Sequence, residues 1–126
     1  MVVDDDPDVV LSIKQLLEGS SDEYVVLGAD SGMQCLELLK NNKLPDLILL
    51  DIIMPEMNGW DTYYKLRENP FWNKIPVIFL TVRTDKAAEY TGRLLGAEYM
   101  TKPFDIKDLK ERIDKVLKNT AYIVEK

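Results

Sequence analysis

Leu47-Ile-Leu-Leu-Asp-Ile-Ile-Met-Pro-Glu-Met-Asn-Gly59 is the stretch that decides how this chain folds. Leu47 to Leu50 is apolar at every position, the pattern of a short strand covered on both faces rather than one face of a surface helix. The run stops at an acid, Asp51. A loop through Pro55 and Gly59 follows, and an amphipathic stretch from Trp60 to Arg67 reads as a helix stopped by Asn69-Pro70.

The same order of elements recurs on either side. Upstream, Met1 to Val3 is apolar and gives way to Asp4, Asp5 and Asp6. Asp6-Pro7 predicts a helix start, the acid as N-cap and proline in the first turn, with Val10, Ile13, Leu16 and Leu17 at helical spacing until Gly19-Ser20-Ser21. Tyr24 to Leu27 predicts a second strand, with a loop at Gly28 to Asp30. Ser31 then caps a helix carrying Cys35, Leu36, Leu38 and Leu39 that ends near Asn41-Asn42. Downstream, Pro76 leads into a strand over Val77 to Leu80, closed by Thr81. A helix is expected over 85–95, with Ala88, Thr91 and Leu95 inward and Gly96 as its stop. Glu98 to Thr101 is a short strand, followed by Lys102-Pro103. The last helix, about 105–118, places Ile106, Leu109, Ile113, Val116 and Leu117 on one face. Its outer face carries opposite charges four apart, Asp108/Arg112, Glu111/Lys115 and Asp114/Lys118.

Five strand–helix alternations predict an α/β protein, a doubly wound five-stranded parallel sheet with helices on both faces. Residues 1–120 form one domain on this reading, with 121–126 a C-terminal tail or the start of a linker. The first strand is short, as in a chain trimmed at its start. At 126 residues, with 46% apolar and 30% charged, the composition is that of one soluble globular unit. No apolar run approaches the ~20 residues of a membrane span, and no signal-peptide pattern opens the chain, so a cytoplasmic location is expected. A formal net charge of −6 argues against a direct nucleic-acid surface. Cys35 stands alone and reads as a small buried hydrophobe. Histidine is absent. That excludes Ser-His-Asp and Cys-His nucleophiles, His-ligated zinc and a phosphohistidine on this chain, and leaves carboxylates, hydroxyls and lysine to do any chemistry.

Those groups are distributed non-randomly. Asp4 and Asp5, Asp51, Thr81 and Lys102 each stand at or just after the C-terminal end of a predicted strand, the edge where open parallel sheets bind ligands. Taken singly, an acid there is usually a loop residue or a cap, and Asp6 and Asp8 are read that way. Taken together they converge. Carboxylates gathered in one cleft repel, and a hard divalent cation relieves the repulsion; all-oxygen ligands point to Mg²⁺, with Mn²⁺ as the alternative. Lys102 adds a fixed positive charge and Thr81 a hydroxyl, a set suited to a transferable phosphoryl group.

In this order the segments Val2-Val-Asp-Asp-Asp-Pro7, Leu49 to Gly59, Pro76-Val-Ile-Phe-Leu-Thr81 and Gly96-Ala-Glu-Tyr-Met-Thr-Lys-Pro-Phe104 resemble the receiver domains of two-component response regulators, over nearly the whole chain. The resemblance implies a flavodoxin-like fold and a phosphorelay role in which a histidine kinase or histidine phosphotransfer protein donates to Asp51 in a Mg²⁺-dependent reaction. It implies that Asp5 binds the metal directly, Asp4 through water or by assisting, and the backbone carbonyl of Ile53 as a further ligand. Lys102 would pair with the phosphoryl group, Thr81 would hydrogen-bond it, and Tyr99 would be the aromatic switch moving with Thr81. An output domain or a homodimer would engage the face formed by the helix over 85–95, the fifth strand and the last helix. The chain would be a switch and not a turnover enzyme. Val82 departs from the small alanine most often found there and narrows access to the site; Ile53 and Arg83 flank the path of hydrolytic water, so slow self-dephosphorylation is expected.

Two other readings compete. Asp4-x-Asp6 mimics the nucleophile pair of haloacid-dehalogenase-type phosphatases, but no later acidic strand motif follows Lys102 and Asp51 would be left without a role. A pseudo-receiver, the same fold binding partners without phosphorylation, has no physical reason to keep three mutually repelling acids.

Overall fold

The computed structural model describes residues 1–81 and 98–125, with only the backbone of Thr81 and of 119–125. The helix expected over 85–95, its Gly96 stop, Val82 and Arg83 lie outside the described residues. Among the described residues there are five strands: β1 (Val2–Val3), β2 (Gly28–Ala29), β3 (Ile48–Asp51), β4 (Val77–Thr81) and β5 (Glu98–Thr101). The described helices are α1 (Pro7–Ser20), α2 (Gly32–Lys40), α3 (Gly59–Glu68) and α4 (Ile106–Glu125). The strands form one parallel sheet in the order β2-β1-β3-β4-β5. Chain direction reverses its progress across the sheet between β1 and β3, which opens a crevice at their carboxyl ends.

Successive strand side chains point to opposite faces, so uninterrupted apolar strands feed two cores. On one face Val3, Ile48, Leu50, Val77 and Phe79 pack with Cys35 and Leu39 of α2 and Tyr63 and Leu66 of α3. On the other, Val2, Leu49, Ile78, Leu80 and Met100 pack with Ile13 and Leu17 of α1 and Leu109 and Ile113 of α4. Each fully buried aliphatic or aromatic side chain contributes roughly 1.5–3 kcal/mol. Among the described residues no helix is long and apolar enough to cross a membrane.

The helix starts follow the expected chemistry. Asp6 caps α1, accepting from the Asp8 amide at 2.9 Å, with Pro7 in the first turn. Ser31 caps α2 by accepting from Gln34 N at 3.0 Å, and Asn58 caps α3 by accepting from Asp61 N at 3.0 Å.

Three details differ from expectation. The second strand is Gly28–Ala29, not Tyr24 to Leu27. The register sets Val2 opposite Gly28, and the residues before it turn elsewhere: Val26 N donates to Glu18 Oε2 of α1 at 2.8 Å. The last helix runs to Glu125 rather than ending near 118. Its charged face does not close on itself either. Arg112 reaches Glu98 at 2.9 Å, and Asp114 accepts a hydrogen bond from the Tyr24 hydroxyl.

Candidate phosphoryl-acceptor site

Asp51 is the last residue of β3, registered against Leu80, one position before the end of β4. The chain turns immediately after it. Ile53 N donates back to Asp51 Oδ1 at 3.3 Å, and Gly59 N donates to Ile52 O at 2.8 Å, so the loop folds over the strand end. Glu56 sits in that loop with φ of 65°, a region side-chain-bearing residues enter only when their surroundings dictate it. Gly59 is required by the close approach: a Cβ there would lie 2.4 Å from the Asp51 carbonyl oxygen.

The neighbouring strands bring the other groups in. Asp4 follows β1 and is 1% exposed; Asp51 is 5% exposed. Asp4 Oδ1 accepts from Asp6 N at 2.9 Å and Oδ2 from Lys102 Nζ at 2.5 Å. Lys102, directly after β5 and joined to Pro103 by a cis peptide, also lies 3.8 Å from Asp51 Oδ2. Asp5 is exposed but contributes to the same cluster: one carboxylate oxygen from each of Asp4, Asp5 and Asp51 lies within 4.8 Å of the others.

Burial pushes the Asp51 carboxyl up to about 6. Lys102 pulls against that rise, Asp4 adds to it, the Ile53 amide pulls it down again and Asp5 adds a little. Loss of water around the carboxylate is the main cause, and the neighbouring charges only modify it. Three carboxylates face one ammonium, and two of them, Asp4 and Asp51, are buried. One divalent cation would supply what is missing, and the oxygen-only donors suit a hard ion.

The residues expected to converge therefore do so at Asp4, Asp5, Asp51 and Lys102. Ile53 borders Asp51 through its amide. Thr81 closes β4 in register with Thr101, and its side chain lies outside the described residues. Tyr99 lies on β5 opposite Phe79, half-buried against the α2–α3 core, and its carbonyl accepts from Arg112 at 3.3 Å. Asp6 is spent on capping α1, which removes it from the Asp-x-Asp pair a dehalogenase-type phosphatase needs. The direct Lys102–Asp4 pair was not legible, because a strand-end position does not say which of several acids a flexible lysine reaches. Thr62 escaped notice too; it is fully buried and its Oγ1 donates to Asn58 O at 3.1 Å.

A parallel sheet of this order, with acids and a lysine gathered at the crevice, is that of a doubly wound α/β module with its site at the topological switch point. Residues 1–114 match the response regulator receiver domain model, and the chain belongs to that family. It is 38% identical over 123 residues to the transcriptional regulatory protein CpxR of Escherichia coli, covering 97% of this chain and 50% of CpxR. It is 38% identical over 120 residues to Histidine kinase P4 of Formosa agariphila, covering 94% of this chain and 8% of the kinase. The chain thus spans half or less of these curated relatives. Among solved structures, a CheY-like response regulator receiver domain protein from Methanospirillum hungatei superposes with a TM-score of 0.77 at 35% identity, covering 100% of this chain and 96% of that one. The fold is flavodoxin-like, and the chain is a receiver domain of a response regulator in two-component signalling, a signalling module by family.

Proposed function

We propose that Asp51 accepts a phosphoryl group from a phosphohistidine on a partner histidine kinase or phosphotransfer protein, and that the acyl phosphate switches an interaction surface. The observation that carries this is the buried Asp51 carboxylate set 3.8 Å from Lys102 and within 4.8 Å of two further acids.

Asp51 attacks phosphorus through a carboxylate oxygen; the partner's P–N bond breaks, and the departing imidazole nitrogen keeps the bonding pair and takes up a proton. Lys102 offsets charge on the phosphoryl oxygens, and the Thr81 hydroxyl donates to one of them. Asp5 and Asp51 would hold Mg²⁺ (or Mn²⁺) with the Ile53 carbonyl, while Asp4, both of whose oxygens are already engaged by Asp6 N and Lys102, assists. When bound, the ion neutralises the negative charge that gathers on the transferred group. The phosphorylated site draws Thr81 inward, and Tyr99 follows into the space vacated. This biases the surface around β5 and the last helix, through which an output domain or a second copy docks. Self-dephosphorylation is slow, the module is residues 1–120 with 121–126 a C-terminal tail or the start of a linker, and it works in the cytoplasm.

Titration with fluoroberyllate and Mg²⁺, followed by ¹H–¹⁵N NMR, tests the reading. Shifts around residues 51, 81 and 99 that vanish without Mg²⁺ and in Asp51→Asn are expected. Partner binding with no such shifts would instead make the chain a pseudo-receiver.

A further inference from the structure

Trp60 stands where the loop after Asp51 becomes α3. The residue before it, Gly59, has no freedom to move independently: its missing Cβ leaves room only for the Asp51 carbonyl, and its amide is bonded to Ile52 O. The backbone entering Trp60 therefore follows that of Asp51 and Ile52. The half-buried indole of Trp60 lies on Phe79, ring centroids 4.4 Å apart and tilted by 45°. Phe79 is fully buried in the middle of β4, opposite Leu50 of β3 on one side and Tyr99 of β5 on the other. Strand partners in register share a sheet face, and Tyr99 packs against the same core cluster as Trp60 and Phe79. Protein interiors are packed tightly enough that a ring displaced at one end of such a row moves its neighbour.

We infer that Trp60 is a positioning residue that couples Asp51 to Tyr99, its indole acting through Phe79 to set where the Tyr99 ring rests. The inference rests on Asp51 being the phosphoacceptor. Leucine at position 60 keeps the site apolar but removes the flat face that bears on Phe79, so Trp60→Leu uncouples Tyr99 without touching Asp51. Phenylalanine keeps a face and retains coupling.

The test is ¹⁹F NMR of the 3-fluorotyrosine-labelled protein, the Tyr99 resonance assigned by Tyr99→Phe, with fluoroberyllate and Mg²⁺ at saturation. In the parent protein the Tyr99 resonance shifts. In Trp60→Leu the bound fluoroberyllate signal remains while the Tyr99 shift falls at least about threefold, and Trp60→Phe recovers most of it. A full Tyr99 shift in Trp60→Leu at equal occupancy overturns the inference, as does a silent Tyr99 in the parent with fluoroberyllate bound. Failure of the parent to bind fluoroberyllate overturns the phosphoacceptor reading instead. Should Trp60→Leu not fold, Trp72→Phe leaves Trp60 as the sole tryptophan. Its emission must change on fluoroberyllate binding, and constant emission overturns the coupling.

Discussion

Ionised Asp51 in the metal-free protein has lost most of its water and gained one ammonium 3.8 Å away, and the balance leaves its carboxyl holding a proton up to about pH 6. An unfolded aspartate lets go near 3.9. Because the folded state holds the proton more tightly, the contribution of Asp51 to stability is full below about pH 4 and is lost as pH rises to about 6, at roughly 1.4 kcal/mol per unit. Asp51→Asn removes that loss. Urea unfolding of the metal-free proteins should show the variant gaining on the parent between pH 4 and 6, by on the order of 2–3 kcal/mol in all. Lys102→Met acts in the opposite sense, leaving Asp4 buried beside two other acids; a loss of about 3 kcal/mol at pH 7 is expected by the same measurement. Ile53 is 56% exposed beside Asp51, and its apolar side chain could shield but not orient a water there. Acyl-phosphate decay should quicken several-fold in Ile53→Asn, and an unchanged lifetime would remove Ile53 from the control of hydrolysis. The acids were readable from strand ends because position along a parallel strand is nearly enough to place a side chain. The partner of Lys102 was not.

At the level of elements, the loop between β3 and α3 is where sequence and structure agree most closely. Pro55 and Gly59 read as loop shapers, and Gly59 proves to be pressed against the backbone of Asp51 and Ile52. Gly59→Ala should cost about 1–3 kcal/mol in denaturant unfolding, since the nearest atoms are backbone and cannot swing aside. The helix caps at Asp6 and Ser31 were equally legible, because capping is local chemistry within three residues. β2 was not. Tyr24 to Leu27 has strand composition, but strand pairing is decided by register with β1, a contact far away in sequence. The surface charges of α4 taught the same lesson: Arg112 chose Glu98 on β5 over Asp108 on its own helix.

For the whole molecule, alternation of five short strand-like runs, three of them wholly apolar, with amphipathic stretches was sufficient to predict the parallel sheet and its two covered faces. The strand order, which opens the crevice between β1 and β3, is not set by periodicity; it was implied by the flavodoxin-like resemblance, and the sheet has it. That crevice gathers residues 4, 5, 51 and 102 from opposite ends of the chain, so a metal held there would link its binding to global stability. Mg²⁺ at about a hundred times its dissociation constant should stabilise the fold by roughly 2.7 kcal/mol, seen as a raised Tm, with most of the effect absent in Asp51→Asn.

Intact-mass spectrometry after incubation with acetyl phosphate, with and without Mg²⁺, bears on the central claim most directly. A single acid-labile phosphoryl adduct that requires Mg²⁺ and is missing in Asp51→Asn is the predicted result. An unmodified protein, or an adduct that persists in Asp51→Asn, would contradict it.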